Sequence, residues 1–360
     1  MRVVQMMAGA EYGGAEMQFV EVACALHAAG VEQLVLTRDI ERRVARLAAC
    51  GVPYRTQSFA KFPPFLTRIA LNRLVRAFRP DIVQAWMGRA AEFARYPELP
   101  VIGWFGGYHD LKRFRHCDYF VSISEDIVRH IVAGGAERAH VLLIHQFSDI
   151  ADAPPVGRND LGASPDRPLL LTLARLHPRK GLDVLIEAMT RLPGVDLWIA
   201  GEGPLRGELE TMIGKRSLGD RIKLLGWRED RAALLRAADL FVLPSRFEPF
   251  GIVILEAWAL GTPVVAAASQ GPRSYIRHGE TGLLCAVDDV EGLATAIGAC
   301  LSDVNLRRRL AEAGRQEYLA KFTRDVAVRG FLDLYAEILR ERRAPGNASL
   351  AGRADRIGSR

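Results

Sequence analysis

The sequence predicts two successive α/β domains of the doubly wound, Rossmann-like type, facing each other across a cleft. Three observations support this prediction: short apolar runs alternate with helical patterns, the alternation stops in one polar stretch, and it then starts again. Strands that alternate with helices form βαβ units and therefore parallel sheets. A chain of 360 residues is also longer than one ordinary hydrophobic core requires.

In the first half, short apolar runs are typical of buried strands. The predicted strands lie at residues 3–7, 33–37, 81–86, 101–106, 118–124 and 140–146. Apolar residues at helical spacing predict helices at 15–29 and 125–132. We therefore assign residues 1–150 to the first domain.

The second half begins after a stretch rich in Pro, Asp and Gly, which indicates a linker at 151–168. The predicted strands then lie at 169–175, 195–201, 222–226, 240–245 and 263–268, and the helices between them at 181–192, 204–215, 230–238 and 251–260. The second domain is expected to span 169–322. A last helix at 323–340 is expected to pack back on the first domain, and 341–360 are expected to form a disordered basic tail.

Composition narrows the class of protein. Hydrophobic residues make up 49% and charged residues 25% of the chain, as in soluble globular proteins. No apolar run reaches the roughly 20 residues that span a bilayer, and the N-terminus lacks the apolar core of a signal peptide. The five cysteines form no C-x-x-C pair, which argues against a zinc site or a disulfide framework. A cytoplasmic protein is expected.

The net charge of +6 is concentrated in two places. Residues 340–360 hold six arginines against two acids, and residues 61–79 hold five cations without an acid. The five cations are Lys61, Arg68, Arg73, Arg76 and Arg79. Apolar residues in the second stretch, Ile69 among them, have mostly helical spacing, so it predicts a basic amphipathic helix. Such a helix binds an anionic membrane or another polyanion, or is an ordinary surface helix packed on its own sheet.

The first candidate site is the loop LARLHPRKG at 173–181. A predicted strand runs into a loop with Arg175 and Lys180, and a helix follows. Cations at the carboxyl end of a strand, beside a helix N-terminus, make an anion site. A guanidinium fork and an ammonium point charge together suit a diphosphate. The alternative is a solvated basic loop.

The second candidate site is FVLPSRFEPFGIVILE at 241–256. Gly251 lets the backbone approach a ligand, so N–H groups at the start of the following helix can meet a phosphate. Glu248 and Glu256 are acceptors when ionised and can bind sugar and ribose hydroxyls. The alternatives are a solvated acid for Glu248 and a helix-dipole residue for Glu256.

Together these motifs resemble the family-4 glycosyltransferases of GT-B architecture. R-x4-K at Arg175 and Lys180 is followed by E-P-F-G-x4-E at Glu248 to Glu256. Further matches are AGEGPL at 200–205, LLGW at 224–227, ADLFVLPS at 238–245, A-x-G-T-P-V-V at 259–265, GETGLL at 279–284 and GGAE at 13–16. The resemblance is dense from about residue 168 to 320 and sparse before it.

The resemblance implies a role for each matching residue. Arg175 and Lys180 would bind the donor diphosphate, Glu248 the donor sugar, and Glu256 the ribose. The remaining donor-site residues would be Phe250, Gly251 and Ile252 at the helix start, Gly226 and Trp227 near the base, and Gly13 and Gly14 closing over the diphosphate or sugar. His109 would face the reacting sugar; its alternative is a loop histidine bonded to a carbonyl. Ser274 stands where the family commonly has a glutamate.

The implied reaction is transfer of a sugar, with retention, from a nucleotide sugar to an acceptor hydroxyl. No Asp-x-Asp is found, and Asp288 with Asp289 is better explained as a helix-capping pair. Neither a metal nor another cofactor is therefore expected, and cations would stabilise the leaving diphosphate. The expected acceptor is a glycan or a lipid-linked molecule, such as lipopolysaccharide at the inner face of a bacterial membrane. An anionic membrane surface is a further possible partner, whereas nucleic acid is not.

Other interpretations stay open at this point. A catalytically inactive nucleotide-sugar-binding protein would keep the fold. A dinucleotide-binding oxidoreductase is weakly suggested by Gly201, Gly203 and Gly207, whose spacing is not G-x-G-x2-G, with Pro204 at the first helical position. A sugar-nucleotide epimerase or a phosphorylase-like enzyme would share a related two-domain fold, although no signal for a pyridoxal lysine is found.

Overall fold

The computed structural model describes residues 1–11, 13–60 and 63–343. The described chain folds into two compact units: the first contains residues up to 146 together with 324–343, and the second contains Phe147–Thr323. The last helix thus belongs to the first unit. The basic tail predicted at 341–360 lies outside the described residues from 344 onward.

The described part of the first unit contains a parallel seven-stranded sheet in the order β3-β2-β1-β4-β5-β6-β7. The strands are β1 Arg2–Met7, β2 Glu32–Thr37, β3 Tyr54–Thr56, β4 Ile82–Trp86, β5 Val101–Phe105, β6 Tyr119–Ser122 and β7 Val141–Leu143. The central strands β1, β4 and β5 are almost wholly buried, as expected for a sheet covered on both faces.

The helices of this unit are α1 Gly14–Ala28, α2 Glu41–Ala49, α3 Pro64–Phe78, α4 Met87–Phe93, α5 Glu125–Ala133 and the last helix, α13 Arg324–Arg343. Helix α13 packs against α1. Its Tyr335 hydroxyl, wholly buried, donates to Gln84 Oε1 at 2.5 Å. Gln5 Nε2 donates to the same hydroxyl at 3.4 Å, and the Trp86 indole donates to Gln5 Oε1 at 2.7 Å. This buried polar network joins α13 to β1 and β4.

The second unit contains a parallel six-stranded sheet in the order β10-β9-β8-β11-β12-β13. The strands are β8 Leu169–Leu173, β9 Asp196–Ala200, β10 Ile222–Gly226, β11 Leu240–Leu243, β12 Val264–Ala267 and β13 Leu283–Cys285. The helices are α6 Leu182–Ala188, α7 Arg206–Lys215, α8 Arg231–Ala237, α9 Ile252–Ala259, α10 Pro272–Tyr275, α11 Val290–Ser302 and α12 Val304–Lys321. One continuous cluster of buried aliphatic side chains fills its core.

The predicted fold class, two doubly wound α/β domains, is confirmed. In each sheet the chain first winds outward in one direction and then returns to the centre and winds in the other. The order reverses between β1 and β4 in the first unit and between β8 and β11 in the second. Ligands of open α/β sheets bind beside the carboxyl ends of the strands at such reversal points. The predicted start of the helix at 204–215 was wrong. Pro204 lies in a turn, and α7 begins at Arg206.

Candidate functional site

The two loops predicted as sites lie at the reversal point of the second sheet. The loop after β8 carries Arg175 and Lys180, and the loop after β11 carries Glu248. Because β8 and β11 are hydrogen-bonded neighbours and parallel, both loops leave the same edge of the sheet side by side. The topology therefore places the predicted cations and the predicted sugar-binding acid in one location.

Backbone contacts join these loops. The Arg179 carbonyl accepts hydrogen bonds from Arg246 N at 2.9 Å and Phe247 N at 3.2 Å. Gly181 has φ +62°, and a Cβ there would lie 2.1 Å from the Pro244 carbonyl oxygen. Only glycine permits that close approach. The Lys180 loop is thus held against the start of the Glu248 loop.

The Arg246 side chain reinforces this junction. Its guanidinium donates to both carboxylate oxygens of Asp183, at 2.8 and 2.6 Å, and to Asp288 at 2.5 Å. It also donates to the Pro178 carbonyl at 2.9 Å. The hydrogen bond to Asp183 is the main cause of the raised pKa of Arg246. The predicted capping role of Asp288 was wrong: Asp289 caps α11, by accepting from Gly292 N at 2.8 Å, and Asp288 pairs with Arg246.

Lys180 and Glu248 form a direct ion pair, with Nζ 2.5 Å from Oε2. The two side chains are only 26% and 12% exposed, so solvent screens the pair less than it screens a surface pair. An ammonium group carries three donors, and Glu248 takes one of them. The other two remain available to a bound anion, and Glu248 fixes where they point.

Arg175 lies two residues beyond the end of β8 and is exposed. In the part of the chain that the structure describes it has no ion-pair partner. The turn that follows β9 packs closely against this loop, since a Cβ at Gly203 would lie 2.3 Å from the Leu176 carbonyl oxygen. Gly201 and Gly203 thus allow backbone packing against the Arg175 loop, which accounts for these two glycines without a dinucleotide, whereas Gly207 has open space around it.

The start of α9 is built by backbone and aromatic contacts. Gly251 precedes the helix at φ +95°, and Ile252 is its first residue. Phe250 is buried, and its carbonyl accepts the Tyr275 hydroxyl at 2.7 Å. Gly271 N donates to the Glu248 carbonyl at 2.7 Å. Ser274, the departure from the family pattern, donates to the Gly271 carbonyl at 2.7 Å and so closes its own turn.

Glu256 projects from the second turn of α9 and is 1% exposed. Its Oε1 accepts hydrogen bonds from Arg231 Nη1 at 2.6 Å and from the Ser148 hydroxyl at 3.3 Å. Its Oε2 is buried and has no hydrogen-bond partner among the described residues. Burial raises the pKa of Glu256, against the opposing effect of Arg231 and Ser148. One oxygen of this buried carboxylate is hydrogen-bonded and the other is not. The second oxygen can therefore accept a hydrogen bond from a hydroxyl group of a ligand.

Gly226 and Trp227 lie at the end of β10. Gly226 has φ +72°, and its carbonyl accepts from Gly201 N at 2.7 Å. The Trp227 indole is 64% exposed, which is unusual for so large an aromatic side chain. An exposed aromatic face beside a strand end is suited to stacking on a base.

Gly13 and Gly14 lie at the reversal point of the first sheet, where the loop after β1 enters α1. Glu16 in the first turn accepts from Ala10 N at 3.0 Å, and a Cβ at Gly13 would lie 2.2 Å from Glu16 Oε2. The helix start therefore already has a carboxylate beside it. A neutral group suits this turn better than a second anion.

His109 follows β5 in the first unit. Its Nε2 is buried without a hydrogen-bond partner among the described residues, and its own carbonyl faces His130 Nε2 at 2.8 Å. Burial lowers the pKa of His109, and the positive charges of Arg113 and His130 lower it further. The lowered pKa favours the neutral imidazole, and Nε2 has no partner among the described residues. The alternative, a ring bonded to a carbonyl, is not seen for Nε2.

Three residues of the second-unit site were missed from the sequence. Arg246 ties the loops together, and Arg231 and Ser148 hold Glu256. Arg246 stands inside the quoted motif, so the signal for it was present. Ser148 is separated from Glu256 by 108 positions, and no local pattern connects them.

The comparisons with known proteins agree with this geometry. The model of the family "Glycosyl transferases group 1" matches residues 156–317. The chain is 35% identical over 328 residues to the lipopolysaccharide core biosynthesis glycosyltransferase LpsE of Rhizobium meliloti, covering 90% of this chain and 96% of the relative. It is 33% identical over 344 residues to LpsD of the same organism, covering 93% and 98%.

Among solved structures, Anabaena HepE in complex with UDP superimposes with a TM-score of 0.82 at 20% identity, covering 94% of this chain and 100% of that one. At that identity the likeness concerns the fold, which is the GT-B fold expected from the motifs. None of the helices in the described ranges is both long and apolar enough to cross a bilayer. On the extent of its match to LpsE and LpsD, the chain belongs to the group 1 glycosyltransferases.

Proposed function

We propose that this glycosyltransferase moves a sugar from a nucleoside-diphosphate sugar to an acceptor hydroxyl, with the donor bound in the second unit. The observation that carries the proposal is the joined pair of loops at the reversal point, where Lys180 and Glu248 meet at 2.5 Å. HepE, whose fold this chain shares, was solved with UDP. A nucleotide of the same class is the expected donor carrier here.

Lys180 and Arg175 would hold the diphosphate. As the bond to the anomeric carbon breaks, negative charge grows on the leaving phosphate, and fixed cations there lower the barrier. Lys180 is held in place by Glu248 before the donor arrives, so little reorganisation is needed. The backbone at Phe250, Gly251 and Ile252 would add N–H donors at the start of α9.

Glu248 would bind the donor sugar in addition to pairing with Lys180. An ionised carboxylate has about four acceptor positions, so the ion pair leaves room for hydroxyl donors. Glu256 would accept a ribose hydroxyl at its vacant Oε2, and Trp227 with Gly226 would lie beside the base. In the first unit, Gly13 and Gly14 would face the neutral sugar rather than the diphosphate, because Glu16 occupies that helix start. The neutral His109 imidazole would face the reacting sugar.

We further propose that the reaction retains anomeric configuration and needs no metal, as in the family-4 glycosyltransferases that the motifs resemble. Two side-chain cations and a helix N-terminus supply the positive charge for which other transferases use a divalent ion. Retention would follow from attack on the face of the sugar from which the diphosphate leaves.

The names of LpsE and LpsD favour an acceptor in lipopolysaccharide core or another cell-envelope glycan. A lipid-linked acceptor would require the enzyme to work at a membrane surface. The cytoplasmic location expected from the scattered cysteines stays a prediction; all five lie in the described residues and carry free thiols.

A donor-hydrolysis screen tests the proposal. The purified protein is incubated with UDP, GDP and ADP sugars, and released nucleoside diphosphate is measured beside equilibrium binding of each donor. We expect binding and slow release with one nucleotide class, and faster release when lipopolysaccharide core from a truncated strain is added. Binding without release under both conditions would instead support the inactive nucleotide-sugar-binding protein.

A further inference from the structure

Helix α3 presents large apolar side chains to solvent. Its buried face consists of Thr67, Leu71 and Val75. Phe65, Leu66 and Ile69 are 58%, 56% and 62% exposed. Helical spacing predicts Ile69 among the packed apolar residues, but it lies on the outer face instead. At about 100° per residue, Phe65 and Ile69 share the face opposite Leu71.

The same outer face is cationic. Arg73 and Arg76 follow Ile69 along it, Arg68 lies at its edge, and Arg79 ends the helix; all four are exposed. None of the four forms an ion pair with an acid in the described ranges, and Lys61, the fifth cation of this stretch, lies outside them. Some exposed arginines of this chain do pair with an acid, as Arg46 does with Glu21. The charges on this face of α3 are therefore not offset by ion pairs among the described residues.

The fold brings further cations to this face. The pKa of His116 is lowered by burial and then by the positive charges of Arg115, Arg95 and Arg68. Those three arginines come from different segments of the chain and are all exposed. The pKa of Tyr96 is raised by burial and by Glu98 and lowered by Arg68, so one acid, Glu98, also lies in this area. The positive patch is thus wider than the helix.

We propose that this face, defined by Phe65, Leu66, Ile69, Arg68, Arg73 and Arg76 with Arg95 and Arg115 beside it, docks the enzyme on an anionic lipid bilayer. A basic surface alone would suit any polyanion. Three neighbouring exposed apolar side chains distinguish the bilayer, because its interfacial region accepts apolar groups and anionic headgroups attract the arginines. The proposal is independent of the donor site, since no residue of the face belongs to that site.

The expected strength follows from the charges. Each basic residue near an anionic surface contributes roughly a fivefold factor to the binding constant, so removing two should weaken binding about 30-fold. The Debye length falls from about 10 Å at 0.1 M salt to about 3 Å at 1 M. High salt should therefore remove most of the binding and leave a small remainder from the apolar residues.

The test is co-sedimentation of the full chain with vesicles of phosphatidylcholine, with and without phosphatidylglycerol, at low and high salt. The charge variant is Arg73→Gln with Arg76→Gln, and the apolar variant is Phe65→Ser with Ile69→Ser. All four side chains are exposed, so the fold should tolerate both variants. We expect the charge variant to lose about 30-fold on anionic vesicles at low salt. The apolar variant should lose the salt-resistant remainder.

Two controls separate this face from other sources of positive charge. Arg308→Gln with Arg309→Gln removes two exposed cations from α12 in the second unit. Arg353→Gln, Arg356→Gln and Arg360→Gln remove tail charges that lie outside the described residues. Equal loss in either control and in the charge variant would overturn the proposal. Retention on immobilised heparin without binding to anionic vesicles would also overturn it, in favour of a soluble polyanion.

Discussion

The two oxygens of Glu256 have unequal surroundings, and this asymmetry sets what the residue can do. Oε1 is committed to Arg231 and Ser148, whereas Oε2 is buried without a described partner. Burial alone would favour the protonated acid, and a protonated oxygen would compete with a ribose hydroxyl as donor. Arg231 therefore matters as the group that opposes the raised pKa of Glu256 and fixes the position of Oε1.

We expect Arg231→Leu to weaken donor binding in a pH-dependent way. Without Arg231 the already raised pKa of Glu256 rises further, and the acid limb of kcat/KM for the donor moves to higher pH. At a pH above that limb the KM for the acceptor should be unchanged. The measurement is kcat/KM for the donor across pH 5 to 9. Arg231→Lys should restore part of the wild-type profile.

Stability needs a separate control, because removing Arg231, which is itself 37% exposed, leaves the buried Glu256 without its ionic partner. Thermal unfolding of each variant is measured beside its kinetics. Arg216→Leu is the control. Arg216 follows the last residue of α7 and pairs with Glu187 of α6, not with Glu256. A profile for Arg231→Leu that coincides with wild type would show that Glu256 does not bind the donor through its ionised form.

Lys180 and Arg175 allow a second prediction at this scale. We expect Lys180→Ala and Arg175→Ala each to lower kcat by roughly 10²–10³, the usual effect of losing one group that stabilises developing charge. Lys180→Ala should also raise the KM for the donor, because Glu248 then lies at the diphosphate site without its cation. Steady-state kinetics with the preferred donor measure both effects.

The control for these variants is Lys215→Ala, which removes an exposed lysine from the end of α7. It should leave kcat within about twofold of wild type, as most surface substitutions do. Near-normal turnover in both Lys180→Ala and Arg175→Ala, with unchanged melting temperatures, would remove the diphosphate role from this loop.

Sequence reasoning found the residues that stand in short local patterns and missed those that act through tertiary contact. Lys180 and Glu248 could be predicted because each follows a recognisable strand and precedes a helix. Their ion pair could not be predicted, since it depends on β8 and β11 being neighbours in the sheet. Ser148 stands just before the predicted linker and carries no signal of its own.

Among the elements, α13 shows how one buried network fixes a distant part of the chain. Tyr335 reaches Gln84 and Gln5, which are more than 200 positions away. Gln84 Nε2 has no partner in the described residues, so its Oε1 depends on the tyrosine hydroxyl. The helix is therefore held by directed hydrogen bonds as well as by apolar contact.

We expect Tyr335→Phe to lower the free energy of unfolding of the first unit by about 1–3 kcal/mol, because buried polar groups lose their partner. Tyr335→Ala should lower it by about 3–5 kcal/mol, since a cavity is added. Urea unfolding followed by tryptophan fluorescence measures both, because Trp86 is part of the same network. Tyr54→Phe, at a partly exposed tyrosine, should change it by less than about 0.5 kcal/mol. Equal effects of Tyr335→Phe and Tyr54→Phe would contradict this account.

Two of the three-residue edge strands were among the elements that the sequence did not predict. The strands β3 and β13 contain three residues each, too few to show a period. Both lie at the edge of a sheet, where neighbouring strands and not their own residues decide pairing. The long buried strands near the centre of each sheet were predicted because nearly all of their residues are apolar.

At the scale of the whole molecule, both sheets repeat one winding order. His109 after β5 and Trp227 after β10 lie away from its reversal, but the Lys180 and Glu248 loops in the second unit and the Gly13 loop in the first lie at it. This arrangement explains why the second unit could be predicted more fully from the sequence than the first. On the proposed function its loops would bind a charged group, which demands particular residue types at particular positions. The Gly13 loop of the first unit, with the carboxylate of Glu16 beside it, shows no such pattern of cations.

The charge balance of the complete reaction gives the last prediction. A donor diphosphate brings two negative charges, and the leaving nucleotide gains a further fraction as the glycosidic bond breaks. Arg175 has five N–H donors and no described ion-pair partner, and Lys180 keeps two donors beyond its bond to Glu248. On the proposed function these cations and the start of α9 would offset the charge without a divalent ion.

We therefore expect the rate of sugar transfer by the full chain to be unchanged after dialysis against EDTA. The measurement is initial rate with the preferred donor, before and after chelation, and again after adding Mg²⁺ or Mn²⁺. Inductively coupled plasma analysis of the dialysed protein is the control that the metal was removed. A loss of activity that either ion restores would mean that the diphosphate is held by a metal as well as by Arg175 and Lys180. In that case Lys180→Ala should also become less harmful as the metal concentration rises, because the ion would replace part of the missing charge.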